Sequence, residues 1–389
     1  MHNEDGEASS RGWIDHEVDG NHLHVCSDGA DRRAMLLDMI DEAQTSLKLY
    51  YYLFADDESG NMVLDRLIEA ARRGVKITLM VDAFGTIETG TSFFQPLEEL
   101  GARVGWYGSS WSTRFLIRNH QKMAIADERS AIVGGFNVSD AYFGLAENNC
   151  WHDMGLRIDG PRVKTLVRWY DALDQWVFAP RQSFRALRKL VRGWHDGNDS
   201  IRWVIGGPTR ILSPWARSVR HDLEKAQRLD MVAAYFTPGN RMLACIRRVA
   251  RRGTARLIMA SKSDNTTTIA AARSLYGRLM QAGATIYEYQ PCKLHMKLVV
   301  IDDAVYIGSA NFDMRSLFVN LEIMVRINDA EFASKIRSFI DERSKDSEEI
   351  TPEWYRKRKT LPQKLKGWLS YMLVGVVDYK VTRRLNLRE

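Results

Sequence analysis

His295-Met296-Lys297-Leu298-Val299-Val300-Ile301-Asp302, with Gly308-Ser309-Ala310-Asn311 a few residues on, has a counterpart in the first half of this 389-residue chain. The counterpart is His120-Gln121-Lys122-Met123-Ala124-Ile125-Ala126-Asp127, followed by Gly134-Gly135-Phe136-Asn137. Both read His-x-Lys-x4-Asp and then Gly-[Ser/Gly]-x-Asn. Between Lys and Asp each is apolar enough for a buried strand. Residues i and i+2 of a strand share a face, so each His lies beside its Lys. Each Asp stands seven residues after its His, an odd offset that turns it to the other face. His and Lys therefore carry the chemistry, and Asp fixes the strand end or a hydrogen bond.

These residue types suit phosphorus chemistry. An imidazole serves as nucleophile, acid or base near pH 7. A neighbouring Lys supplies charge and donors for a phosphate oxygen. Asn and a backbone turn through Gly add neutral donors for charge growing on equatorial oxygens. Two such sets let one imidazole attack phosphorus while the other protonates the leaving oxygen, by positioning and electrostatics, with no metal required. The candidate catalytic set is His120, Lys122, Asp127, His295, Lys297 and Asp302, the Asp residues as members of the motif. Asn137, Asn311 and Ser309 are candidates for binding or orienting phosphate. Two acids follow the Gly-x-Asn elements: Asp153 in Trp151-His152-Asp153, and Glu322 in Asn320-Leu321-Glu322. A carboxylate at the ring nitrogen not used for attack fixes the tautomer and stabilises the imidazolium. The plainer reading of either acid is a solvated strand end.

With 45% hydrophobic and 27% charged residues, the chain has ample core for two domains. A net charge of +6 suits an anionic partner without choosing between lipid and nucleic acid. Cys26, Cys150, Cys245 and Cys292 are scattered, with no CxxC and no close Cys/His spacing. That predicts reduced thiols and no structural zinc, with Cys292 a small buried filler. Strands at 22–26, 46–54, 75–82 and 102–107 alternate with helices at 30–43, 60–73 and 94–100. The second half repeats the order: Leu229 onward matches Leu47 onward, and Arg251-Arg252-Gly253 matches Arg72-Arg73-Gly74. The alternation predicts an α/β protein of two similar halves, each a mixed, mostly parallel sheet flanked by helices. Tyr50, Tyr51 and Tyr52 read as part of a buried strand.

The chain divides into a polar N-terminal tail (1–20), a first domain (21–192), a linker (193–200), a second domain (201–345) and a basic and apolar C-terminal tail (346–389). Residues 181–192 hold five basic residues and no acid, with apolar positions at helical spacing, and read as a surface helix or a membrane contact. The C-terminal tail joins Arg356-Lys357-Arg358-Lys359, Lys364 and Lys366 to the uncharged run 367–377, which favours contact with a membrane interface, the alternative being that Trp368, Tyr371 and Leu373 pack on the second half. Residues 1–20 lack the pattern of an export signal, and no apolar run reaches the roughly 20 residues of a membrane-spanning helix.

With its paired His-x-Lys-x4-Asp motifs the chain resembles the phospholipase D superfamily. The resemblance implies one active site between two similar α/β halves, a phosphohistidine on one His, and contact of Asp153 or Glu322 with a catalytic His. Gly134-Gly135-Phe136-Asn137-Val138, Trp151-His152-Asp153, Ile158-Asp159-Gly160-Pro161 and Trp176 resemble bacterial cardiolipin synthases. So does Gly308-Ser309-Ala310-Asn311-Phe312-Asp313-Met314-Arg315-Ser316 with Asn320-Leu321-Glu322, and the likeness runs over roughly residues 22–345. The family's longer form carries N-terminal transmembrane helices; the likeness here is to the shorter, peripheral form. Five residues separate Asp302 from Gly308 where six follow Asp127, which implies a tighter second turn.

The implied activity is a phosphatidyltransferase moving a phosphatidyl group from phosphatidylglycerol to a phospholipid alcohol, with His120 as nucleophile and no cofactor. The implied partners are anionic phospholipid (phosphatidylglycerol, cardiolipin) and the membrane surface, on its inner, cytoplasmic face; protein partners are left open. A phospholipase D producing phosphatidic acid and a nuclease or phosphodiesterase are the alternatives. No nucleic acid is expected, because the basic residues flank apolar runs instead of tracking a groove with stacking aromatics. The motifs come with no two-metal acidic cluster and no His/Cys ligand set. Activity is therefore predicted to survive EDTA; complete loss, restored by one specific divalent ion, would contradict this reading.

Overall fold

Apolar residues at every second position gather the strands of each half into an eight-stranded sheet. The computed structural model describes residues 13–108, 117–144, 150–209, 212–358, 367 and 369–372. In the first half β1 (Ile14–Val18) and β2 (Asn21–Cys26) form a hairpin ahead of α1 (Gly29–Glu42). β3 (Ser46–Tyr51), α2 (Glu58–Arg72), β4 (Lys76–Asp82), α3 (Gln95–Glu98) and β5 (Arg103–Tyr107) then alternate as the sequence predicts. β6 (Met123–Ala126) and β7 (Ser130–Gly134) carry the first motif. α4 (Asp140–Phe143), β8 (Trp151–His152), β9 (Gly155–Asp159), α5 (Val163–Val177) and α6 (Phe184–Gly193) complete the half.

The second half opens with β10 (Ile201–Gly206), α7 (Pro214–Lys225), β11 (Arg228–Ala233) and β12 (Phe236–Thr237). α8 (Asn240–Arg252), β13 (Thr254–Ala260), α9 (Thr266–Met280) and β14 (Thr285–Tyr289) repeat the alternation. The second motif spans β15 (Lys293–Leu294), β16 (Lys297–Ile301) and β17 (Ala304–Gly308), followed by β18 (Phe312–Asp313) and α10 (Met314–Phe318). β19 (Glu322–Asn328), α11 (Ala330–Lys345), β20 (Ser347–Glu349) and α12 (Pro352–Arg358) end it.

The strand orders are β1-β2-β9-β7-β6-β3-β4-β5 and β10-β19-β17-β16-β11-β13-β14-β20. The sheets are mixed, with the parallel part narrower than the helix–strand alternation implies: only β3-β4-β5 and β11-β13-β14 run parallel within them. The reason is the motif itself. β6–β7 turns through three residues and β16–β17 through two, and connections that short join only antiparallel strands. The shorter second connection is the tighter turn expected there.

Alternation along the strands divides each sheet between two cores. Tyr50, Met123, Ile125, Val133 and Leu156 of the first sheet share a core with Leu298, Val300, Ile307, Ile323 and Val325 of the second, so the halves are fused along a seam. Each Leu or Ile buried there contributes about 1.5–3 kcal/mol. The outer faces are covered by α1 and α2 in one half and by α7, α8 and α9 in the other. Phe184, Leu187 and Val191 of α6 are buried in the seam core while Arg185, Lys189 and Arg192 face solvent, the surface-helix reading of that basic stretch.

Structure extends beyond the limits drawn from sequence. β1 begins inside the N-terminal polar stretch, and His16 bonds Asp329 across the seam at 2.9 Å. β20 adds a strand beyond residue 345, and the Tyr355 hydroxyl donates to the Arg273 carbonyl at 3.3 Å. Tyr371 donates to the Pro238 carbonyl at 3.4 Å and Ser370 is buried, while Leu369 is exposed. Those described parts of the C-terminal tail lie on the second half; Lys359, Lys364, Lys366, Trp368 and the rest of the uncharged run lie outside the described residues. No helix among the described residues is long and apolar enough to cross a membrane.

The motif Asp residues sit at the far strand ends, roughly 16 Å from their Lys at about 3.3 Å per residue. Asp127 accepts from the backbone N–H of Gln44, Thr45 and Ser46 at 2.8–2.9 Å and from the Thr45 hydroxyl at 2.7 Å. Asp302 accepts from Gln227 and Arg228 N–H at 3.0 and 2.8 Å. Both have positive φ, +51° and +44°, which Asp tolerates in tight turns. Asp127 and Asp302 thus leave the candidate catalytic set: they clamp the starts of β3 and β11. Burial alone would raise the Asp127 carboxyl, but its four donors hold it at about 2. Asp127→Ala and Asp302→Ala are predicted to cost about 1–2 kcal/mol, the low end for bonds to a charge half in water. That corresponds to a few degrees in Tm, with turnover within a few-fold of wild type. The Asp127 contribution is present above pH ~4 and fades as pH falls toward 2, the sign for a depressed carboxyl. Calorimetry against pH, with parallel rate assays, checks both; a large loss of turnover would return these residues to the site.

Candidate active site

Each histidine belongs to one half and is oriented by the other. Asn119 bridges in parallel to Leu321; His120 N–H donates to the Leu321 carbonyl at 2.8 Å, and Leu321 N–H to the Arg118 carbonyl at 2.9 Å. That pairing sets Glu322, the first residue of β19, beside the imidazole. His120 Nδ1 lies 3.1 Å from Glu322 Oε2 and 3.1 Å from the Ser309 carbonyl. Both partners accept, so Nδ1 carries the proton and Nε2 keeps its lone pair.

The second half mirrors this. β15 pairs in parallel with β8, His295 N–H donates to the His152 carbonyl at 2.8 Å, and His295 Nδ1 lies 2.6 Å from Asp153 Oδ2. Asp153 of the first half therefore serves the histidine of the second, and Glu322 the reverse. Sequence finds both acids but not this exchange. Each carboxylate is fully buried and separately held. Glu322 accepts from Ser309 Oγ at 2.5 Å and Ser316 Oγ at 2.7 Å. Asp153 accepts from Met154 N–H at 2.8 Å. A Cβ at Gly135 would lie 2.5 Å from Asp153 Oδ1, so the Gly that replaces Ser in the first motif makes room for the carboxylate. Burial pushes both acids up, but His120 and Lys122 around Glu322, and Lys297, His295 and Arg32 around Asp153, bring them below the usual range.

The lysines complete the set. Lys122 Nζ donates to the His120 carbonyl at 2.8 Å; Lys297 Nζ contacts the His295 carbonyl and lies 2.8 Å from His295 Nδ1. Burial, with Lys297 adding, brings Lys122 down to about 7, and burial brings Lys297 down to about 8. Burial and then Lys297 lower His295 to about 3; burial and then Lys122 lower His120. Each lysine acts on the histidine of the other half, so the two motifs form one site. Cations crowded out of water are stabilised by an entering anion, the electrostatics expected of a phosphate site. Among the described residues no group of three or more His, Cys, Asp or Glu is arranged around a metal position.

Several residues emerge only here. Tyr52 lies 5.3 Å from the His120 ring, with Lys122 Nζ 5.2 Å from its centroid. Tyr142, Trp151 and Tyr235 surround His295 at 5.2, 5.1 and 6.5 Å. Tyr52 and Tyr235 each lie just past a repeated strand but one position out of register, and a Tyr there reads first as core. Arg32 is buried and donates to the carbonyls of Ser27, Tyr142, Trp151 and Asp153, holding β8 in place. Its helical register with Leu36, Met39 and Ile40 was the available signal. Asn137 Oδ1 accepts from Leu53 N–H at 3.2 Å, a backbone-positioning bond, while Asn311 Oδ1 is buried with no partner among the described residues.

A family profile described as "Cardiolipin synthase, PLD-like domain" matches residues 36–173 and 219–343. The chain is similar to cardiolipin synthase 2 of Bacillus anthracis, 30% identical over 353 residues, covering 86% of this chain and 66% of that protein. It is equally similar to the major cardiolipin synthase of Bacillus subtilis (strain 168), 30% identical over 353 residues, with 88% and 72% covered. The chain thus spans about two thirds of the length of these relatives. Its fold matches the crystal structure of phosphatidylserine synthase from Haemophilus influenzae Rd KW20 with a TM-score of 0.75, at 12% identity over 95% of this chain and 96% of that one.

The exchanged carboxylates yield a direct test. Asp153→Asn and Glu322→Gln keep shape but can no longer hold an Nδ1 proton as an anion does. Each is predicted to lower kcat by about 10²–10⁴ with KM little changed, as for other histidines stripped of their orienting acid. Steady-state kinetics on the folded variants measure this; a wild-type rate in either would mean that its histidine needs no orienting partner.

Proposed function

Because the chain belongs to the phospholipase D-like cardiolipin synthase family, we propose that it is a phosphatidyltransferase that makes cardiolipin from phosphatidylglycerol and the hydroxyl of a second phospholipid. The observation that supports this best is the pair of imidazole–carboxylate contacts exchanged between the halves, with two buried lysines between them.

In this reading His120 Nε2 attacks phosphorus, since its Nδ1 meets only acceptors and its lone pair is free for the purpose. His295 sits between Asp153 and Lys297 and passes a proton to the departing glycerol oxygen. Phosphate entry opposes the lowering of the His295 pKa by burial and Lys297, which favours the protonated form. His295 then takes the proton of the incoming hydroxyl as that oxygen attacks the phosphohistidine. Lys122 and Lys297 hold the non-bridging phosphate oxygens, Ser309 and Asn137 orient their neighbours, and the Asn311 amide N–H donates to a phosphate oxygen. The enzyme works at the inner membrane face as a peripheral protein. Exposed Arg356, Lys357 and Leu369 support an interfacial tail, each cation adding about 1 kcal/mol near an anionic surface.

Purified protein and labelled phosphatidylglycerol vesicles test the proposal, with cardiolipin resolved from phosphatidic acid. Cardiolipin is the expected product; phosphatidic acid alone would make the protein a hydrolase. His120→Ala and His295→Ala are each predicted to lose at least about 10³-fold in rate, the double variant losing little more. Label trapped on His295 and never on His120 would reverse the two roles.

A further inference from the structure

Cys150 and Cys292 immediately precede the two short strands that carry Asp153 and His295. β8 and β15 pair in parallel with Lys293 opposite Trp151 and Leu294 opposite His152. Continued one step back, that register sets Cys292 opposite Cys150, and the thiols lie near enough for Cys150 to raise the Cys292 thiol. Neighbouring strands lie about 4.8 Å apart, inside the Cα separation that a disulfide spans. Neither cysteine is fully buried.

Strand alternation decides which side of the ribbon they occupy. Trp151, Asp153, Lys293 and His295 share one face: the Trp151 ring meets His295 at 5.1 Å, and Lys293 Nζ lies 5.2 Å over the Trp151 ring. Cys150 and Cys292 point to the other face with His152, whose ring stacks on Tyr289 at 5.0 Å. Tyr289 is raised to about 12 by burial first, with both cysteines adding to it, which places them on its side. The thiols therefore lie behind the site, on the seam, with one from each half.

We propose that Cys150 and Cys292 are a reversible modification site that closes to a disulfide across the two halves and staples the ribbon holding Asp153 against His295. The co-reactant is a peroxide. Burial and then Cys150 push the Cys292 thiol up to about 12, so it enters the second step with its proton still bound. The Cys150 sulfur displaces hydroxide from hydrogen peroxide as the O–O bond breaks, giving a sulfenic acid and, with the thiol proton, one water. The Cys292 sulfur then attacks the Cys150 sulfur; the S–S bond forms, the S–O bond breaks, and hydroxide leaves as a second water with the Cys292 proton. The thiols lose two electrons and the peroxide gains them. Because the register is already set, closure needs little movement and leaves the catalytic face open.

The test uses the full chain treated with hydrogen peroxide, alkylated, digested without reductant and mapped by mass spectrometry. The expected product joins the Cys150 and Cys292 peptides, two hydrogens lighter, and is reversed by dithiothreitol. Oxidised protein is expected to melt several degrees higher than reduced protein with activity within about twofold. Cys150→Ser and Cys292→Ser lose the peroxide-dependent shift; Cys26→Ser keeps it. The peptide map on unmodified protein needs no variant to fold. Overoxidised or still alkylatable Cys150 and Cys292 without the joined peptide, or a joined form that melts no higher or is inactive, overturns the proposal, whatever reaction the site catalyses.

Discussion

Everything in this molecule converges on two imidazole–carboxylate contacts that cross the seam between its halves, His120 with Glu322 and His295 with Asp153. A buried carboxylate without a partner is destabilising by several kcal/mol, and breaking such a pair costs about 3–5 kcal/mol. The halves are thus bound to each other by the same groups that prepare the histidines. The parallel bridges Asn119–Leu321 and Leu294–His152 are the backbone counterpart, fixing each carboxylate one residue past a main-chain anchor.

Around these pairs the two motifs are similar but not identical. Ser309 gives its hydroxyl to Glu322 and its carbonyl to His120, while Gly135 at the same motif position contributes empty space for Asp153. His120 retains 15% side-chain exposure against 6% for His295, so the imidazole with the free Nε2 lone pair is also the more accessible one. Two more acids, buried Asp82 and half-buried Asp313, support the frame. Asp82 accepts from Asn119 N–H at 2.9 Å just before His120, and Asp313 caps α10 through Ser316 N–H at 2.8 Å. Burial lifts both to about 6, yet backbone donors keep each in place. Ser316 passes the constraint on to Glu322 through its hydroxyl.

The crowding of Lys122 and Lys297 explains why so much structure surrounds so few atoms. Two ammonium groups out of water disfavour their own charge, and the carboxylates only partly offset that. An anion entering beside them would stabilise both ammonium charges in a field that is already preorganised. Tyr52, Tyr142, Trp151 and Tyr235 wall the site with rings that exclude water and strengthen that field.

The sequence by itself determined the repeat and the helix–strand alternation, and it singled out His120, Lys122, His295 and Lys297 as the candidate set. These follow from periodicity and from a motif too specific to recur by chance, and a period-2 strand places His beside Lys without any knowledge of the fold. The same arithmetic turned Asp127 and Asp302 away from the site, and the structure finds them clamping strand ends on the far side. Only the tertiary structure decided which acid serves which histidine, because the pairing is made across the seam between residues some 140 to 200 positions apart. It alone placed Tyr52 and Arg32 at the site and set Cys150 opposite Cys292, since each depends on how one half docks on the other. Local sequence encodes which face a side chain takes; what lies opposite that face is fixed by packing of the whole chain.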